Sequence, residues 1–61
     1  MKMKHTVKMK SGQQEVYEFK TKAESDRALT NAIALNKTFN SIRFIWIEPV
    51  NKPWQRKRID F

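Results

Sequence analysis

The segment Ile42–Val50 is the most apolar run in an otherwise polar and basic chain. Its β-branched and aromatic residues favour an extended strand, and Pro49 marks the point where sheet pairing must loosen. Apolar side chains occupy both odd and even positions of this run. Because neighbouring side chains of a strand point to opposite faces, neither face of this strand can be left to water without a reason. We therefore expect the rest of the chain either to cover this strand or to form a surface that this strand supports.

The chain has 61 residues and no cysteine, so we expect one domain spanning residues 1–61 without disulfides or thiolate metal sites. A chain this short buries roughly 60% of its unfolded surface, and its stability depends on packing or on oligomerisation. No run approaches the ~20 apolar residues that span a bilayer, and no apolar stretch follows the N-terminal lysines. We expect a cytoplasmic protein that does not engage a membrane.

The first ten residues alternate with a period of two, which predicts a half-buried strand. Its apolar side includes the only histidine, His5, which is expected to be a packed residue rather than a ligand or a base. The opposite side carries Lys2, Lys4, Lys8 and Lys10.

A turn at Ser11-Gly12 leads to a returning strand over residues 16–20. A three-residue loop with Gly12 in the left-handed conformation keeps the large side chains of the two strands on one face. This loop predicts three cross-strand pairs: Met3 with Phe19, Lys4 with Glu18, and His5 with Tyr17.

Thr21 and Glu24 have the spacing of a capping box, which predicts the start of a helix. The apolar residues that follow recur at helical spacing: Ala28, Leu29, Ala32, Ile33 and Leu35. We expect Asn31, Asn36 and Lys37 to face water or to end the helix. Phe39 is expected to fold back over the helix end.

Residues 48–53 are predicted to be a turn, because two prolines and an asparagine interrupt sheet pairing, and residues 51–61 form a basic C-terminal segment. Trp54–Phe61 is predicted to be a fourth strand at the sheet edge, because Ile59 and Phe61 would otherwise end the chain as exposed apolar residues. The alternative is a basic tail that becomes ordered on binding.

These elements predict an α+β fold, a two-layer ββαβ(β) domain with one helix on one face of an antiparallel-rich sheet. A right-handed crossover through the helix places the third strand beside the first, which gives the order 2-1-3 with a possible fourth strand outside the third. In the third strand, Ile42, Phe44 and Trp46 are expected on one face, and Arg43, Ile45 and Ile47 on the other. The sequence leaves open which face meets the helix. The predicted core also contains Met3, His5, Val7, Tyr17, Phe19, Leu29, Ile33 and Phe39.

Thirteen Lys and Arg residues against six acids give a net charge of +7, concentrated at the two ends of the chain. Lysines at alternate positions of a strand lie ~7 Å apart on one face, which suits contacts with phosphates. If Phe44 and Trp46 lie on that face, bases can stack on their rings. We therefore expect a nucleic-acid-binding protein, DNA or RNA, with these contact residues: Lys2, Lys4, Lys8, Lys10, Arg43, Trp46, Trp54, Arg56, Lys57 and Arg58.

The alternative is a non-enzymatic interaction module, in which the third strand or the edge of the second binds a second copy or another protein. An enzyme is not expected, because no nucleophile–base pair or glycine-rich phosphate loop can be identified. Neither a metal, a cofactor nor a small-molecule substrate is expected. In size, basicity and lack of cysteine the chain resembles small accessory proteins of bacterial phages and mobile elements. No motif carries this similarity, and it assigns no residue a role.

Overall fold

A computed structural model describes all residues from Met1 to Phe61. It contains a four-stranded antiparallel sheet in the order β2-β1-β3-β4 and one helix, which confirms the predicted α+β fold. The C-terminal segment forms the fourth strand, shorter than predicted because a 3₁₀ turn at Pro53–Gln55 precedes it. The elements are β1 (Met3–Met9), β2 (Gln14–Phe19), α1 (Lys22–Phe39), β3 (Ile42–Pro49) and β4 (Lys57–Asp60).

The β1–β2 hairpin has the predicted three-residue loop. Gly12 has a φ of 97°, a region that L side chains rarely adopt, and its amide donates to the Met9 carbonyl at 3.0 Å. The Met9 amide donates to the Gln13 carbonyl at 2.8 Å and closes the loop. The register that follows is the predicted one, with Lys4 opposite Glu18.

Helix α1 begins as predicted and ends later. Thr21 is the N-cap, and its hydroxyl accepts a hydrogen bond from the Glu24 amide at 3.2 Å. Asn40 ends the helix in the left-handed conformation, with a φ of 50°. Asn36 is buried, and its side-chain oxygen accepts from the Ile42 amide at 2.9 Å. The expectation that Asn36 faces water or ends the helix was therefore wrong, because this side chain ties α1 to the start of β3.

The core is small. Val7, Ile42 and Ile45 form its buried centre, against which Leu29, Ala32, Ile47 and Met9 pack. Tyr17 and Phe39 were predicted in the core, but they are 46% and 70% exposed. The physical reason is that α1 does not close over β2, which leaves an open cleft of about 470 Å³ between them.

A bulge in β3 decides which of its side chains face the helix. Met9 lies opposite Ile42 and Lys8 opposite Phe44, so Arg43 is an extra residue without a partner in β1. The bulge turns Ile42 to the same side as Ile45, where both join the core. The prediction that Ile42 shares a face with Phe44 and Trp46 was therefore wrong.

No helix in the structure has the length and apolarity needed to cross a membrane.

Candidate nucleic-acid interface

The sheet surface opposite α1, which we call the open face, carries the two large aromatic side chains of β3. Ile45 is opposite Val7, and both are buried under the helix, so the alternate residues Phe44 and Trp46 point away from it. The two rings are neighbours, with centroids 5.0 Å apart and planes inclined at 48°. Both side chains are only half-buried. The structure thus answers the question that the sequence left open.

Two arginines from the C-terminal segment lie over these rings. The guanidinium carbon of Arg56 is 4.7 Å from the Trp46 ring centroid, and that of Arg58 is 4.2 Å from the Phe44 ring centroid. Both distances are within the range of cation–π attraction. Arg58 also donates from Nε to Asp60 at 2.8 Å, whereas Arg56 has no carboxylate partner. The arginines leave their outer surfaces and remaining N–H groups available to a ligand.

Two of the four N-terminal lysines lie within β1 on this face. Lys4 is opposite Glu18 on one side and Glu48 on the other, with 3.9 Å between the Lys4 amine and the Glu48 carboxylate. Lys8 is opposite Phe44 and donates to the Gly12 carbonyl at 3.0 Å, without an acidic partner. Lys8 is therefore the more available of the two cations.

The other two N-terminal lysines lie outside the β1 strand. The amine of Lys10 donates to the side chain of Asn40 at 2.7 Å, so Lys10 reaches the C-terminal end of α1. The expectation that Lys10 lies in line with Lys4 and Lys8 was wrong, because the turn begins there. Lys2 precedes β1, and its carbonyl accepts from the Val50 amide at 3.0 Å.

Three further residues of the predicted site do not stack on the aromatic pair. Arg43 is exposed in the bulge, and its carbonyl accepts from the Phe61 amide at 3.2 Å. Lys57 is opposite Ile47, which places it on the helix side of the sheet, so it does not extend the basic track of the open face as expected. Trp54 is 76% exposed in the 3₁₀ turn.

The predicted contact residues include Trp46 but not Phe44, although stacking was expected on both rings if they lay on the open face. The same alternation that selects Trp46 selects Phe44, and the signal was therefore present in the sequence. Glu18 was expected beside Lys4, but Glu48 and Asp60 were not expected on this face. Four cations, Lys4, Lys8, Arg56 and Arg58, share the open face with the carboxylates of Glu18, Glu48 and Asp60. Charge alone is therefore a weak source of affinity here, and the stacked aromatic and guanidinium groups distinguish this face.

On the other side of the sheet, His5 and Ser25 are both buried, and His5 Nε2 is 2.6 Å from Ser25 Oγ. The His5 ring also lies against Phe19, with centroids 4.6 Å apart. Burial lowers the pKa of His5 below its usual value of 6.5, while the nearby Asp26 carboxylate opposes the shift. Ser25 is 1% exposed, so its hydroxyl is shielded from any substrate. The hydrogen bond between these two side chains joins α1 to β1.

No group of three or more His, Cys, Asp or Glu side chains comes together in a way that would hold a metal ion. The fold and the open face define a small α+β protein whose sheet presents aromatic rings beneath arginines. Searches against protein-family models, curated protein sequences and solved structures return no match to this chain, so function is inferred from geometry.

Proposed function

We propose that this protein binds single-stranded nucleic acid on the open face of its sheet. The observation that carries the proposal is the placement of Phe44 and Trp46 side by side on the face away from the helix, each beneath an arginine. Both rings are only half-buried there, so part of each ring remains accessible to a base.

Bases stack on aromatic rings and on guanidinium planes, and each stacked base contributes about 1–3 kcal/mol. Phe44 and Trp46 are two positions apart along β3, so their Cα atoms are separated by about 7 Å. This spacing lets one unpaired nucleotide address each aromatic–arginine pair. Arg56 over Trp46 and Lys8 opposite Phe44 have no carboxylate partner, so each cation can also meet a phosphate.

The proposal specifies a single strand because stacking requires accessible base faces. In a duplex, the faces of the bases are covered by their neighbours, and only edges and phosphates are exposed. The modest excess of cations on this face favours the same conclusion, because duplex binding without base contacts depends mainly on charge.

A structural explanation competes with this proposal. The two arginine–aromatic contacts also hold β4 against β3, and they could exist for that purpose alone. Under that explanation, the open face would bind no oligonucleotide beyond what the net charge of +7 attracts.

Fluorescence titration separates the two explanations. In a Trp54→Phe background, Trp46 is the only tryptophan. We expect an unstructured oligonucleotide of roughly ten nucleotides, within the usual site sizes, to quench Trp46 and to bind more tightly than a duplex of the same length. Absence of quenching, or equal affinity for the duplex, would overturn the proposal.

A further inference from the structure

The outer edge of β2 is an unpaired strand edge beside an apolar cleft. In an antiparallel pair of strands, hydrogen-bonded residue pairs alternate with pairs that are not hydrogen-bonded. Met9 and Gln13 form a hydrogen-bonded pair, so the backbone groups of Glu15 and Tyr17 also point toward β1. The amides and carbonyls of Gln14, Val16 and Glu18 therefore point outward, where nothing in the chain pairs with them.

Exposed apolar residues surround this edge. Tyr17, Leu35 and Phe39 line the cleft between α1 and β2 and are 46%, 57% and 70% exposed, while Val16 on the other face of β2 is 55% exposed. With about 150–250 Å² for a complete aromatic side chain and somewhat less for an aliphatic one, these four residues expose roughly 400 Å² of mainly apolar surface.

This amount suits a dimer interface. A stable interface buries about 800 Å² on each partner, somewhat more than half of it apolar.

The two edges of the sheet differ in their charge. The β4 edge is four residues long and carries Lys57 and Arg58, and short, positively charged edges discourage strand addition. β2 carries no cation. Two copies that each carry a net charge of +7 repel one another least where they meet through this strand.

We propose that two copies of this chain associate through antiparallel pairing of their β2 strands, which forms one continuous eight-stranded sheet. Residues that lie opposite each other in a continuous sheet have their side chains on the same face. An odd-numbered residue of one β2 strand must therefore lie opposite an odd-numbered residue of the other, so the two residue numbers have an even sum. Centring the two-fold axis on Glu15 or Glu18 would place identical acids opposite each other. The axis therefore passes through Val16 or Tyr17, where no acid faces an acid. This inference is independent of the proposed function, because β2 carries neither the aromatic pair nor the arginines.

Val16 provides a selective test, because its amide points outward and Pro at this position removes no bond to β1. Sedimentation equilibrium is measured at concentrations up to roughly 100 μM, where a dimer with a Kd of about 10 μM is mostly associated. We expect the native chain and the Val16→Ala control to have twice the 7.3 kDa monomer mass, and Val16→Pro to have the monomer mass.

Amide hydrogen exchange of the native chain gives a second reading that does not depend on a variant. Pairing protects the outward amides of Gln14, Val16 and Glu18 as well as the inward amides of Glu15 and Tyr17. A monomeric native chain with rapid exchange at Val16 would overturn the proposal. A dimer that survives Val16→Pro, or assemblies larger than a dimer, would overturn it as well.

Discussion

The guanidinium carbon of Arg56 lies 4.7 Å from the centre of the Trp46 ring, on the face of the sheet that the helix leaves uncovered. A cation over an indole face is the most favourable cation–π pair. The contact joins the basic C-terminal segment to β3, one of the two central strands of the sheet. Removal of the Trp46 ring is therefore the most informative single change for testing the proposed binding site.

Replacing Trp46 by Ala is expected to weaken binding of a single-stranded oligonucleotide by about 5- to 150-fold, the equivalent of one stacked base. Fluorescence anisotropy of a labelled oligonucleotide measures this change. Trp46→Phe should keep most of the affinity, because it keeps an aromatic face. Trp54→Ala, at the other tryptophan, should change affinity less than about twofold. Equal losses at Trp46 and Trp54 would remove Trp46 from the binding site.

Reversing the charge of Lys8 should weaken binding and lower the slope of log affinity against log salt by about one, because Lys8 loses its phosphate contact. Lys37→Glu is the matched control, since it changes the formal charge equally on an exposed position of α1. It should have the smaller effect, and anisotropy titrations at several salt concentrations compare the two variants. Indistinguishable variants would mean that net charge alone determines binding.

Acid is expected to destabilise this protein through His5. Its pKa is lowered in the folded state by burial, so the unfolded chain binds the proton more readily. The stabilising contribution of neutral His5 is complete above its unfolded pKa of 6.5, and it is lost as the pH falls from there through the folded-state pKa. Urea unfolding between about pH 8 and about pH 5 should show this loss.

The variant His5→Gln supplies the control for that measurement, because Gln can hydrogen-bond to Ser25 without titrating. Its stability should depend less steeply on pH over the same range. An identical pH dependence in the variant and the native chain would show that another group is responsible.

Asn36→Ala is expected to destabilise the fold by about 1–3 kcal/mol, because the amide of Ile42 loses its buried acceptor. The loss should be visible even though Ala has the higher helix propensity. Asn31→Ala, at an exposed helix position, should leave stability unchanged or slightly increased. Urea denaturation measures both free energies of unfolding, and an unaffected Asn36→Ala variant would contradict the assigned role of this side chain.

Local signals were sufficient to predict the elements, and the right-handed crossover rule then gave the sheet order. The alternation of residues 1–10 and the left-handed Gly12 determine the hairpin register, and the capping spacing of Thr21 and Glu24 determines the start of the helix. Each of these features depends on residues close together in the chain, which is why sequence alone could reveal it.

Other features that depend on distant residues could not be predicted. The bulge at Arg43 inserts one residue opposite β1, and nothing in the alternation of Ile42–Val50 marks its position. The face of Phe44 and Trp46 is determined by which side chains fit beneath α1 and by two arginines ten or more positions away. The exposure of Phe39 follows from the cleft between α1 and β2, which the narrow helical stripe suggested but did not locate.

The central claim is that the open face binds an unpaired strand through stacking, and an NMR titration tests it most directly. Amide and indole signals are followed while an oligonucleotide of roughly ten nucleotides is added. We predict that the largest shifts occur at Phe44, the Trp46 indole, Arg56 and Lys8, while signals of α1 remain unchanged. Shifts confined to α1 or to the Trp54 turn, or no shifts at all, would contradict the claim.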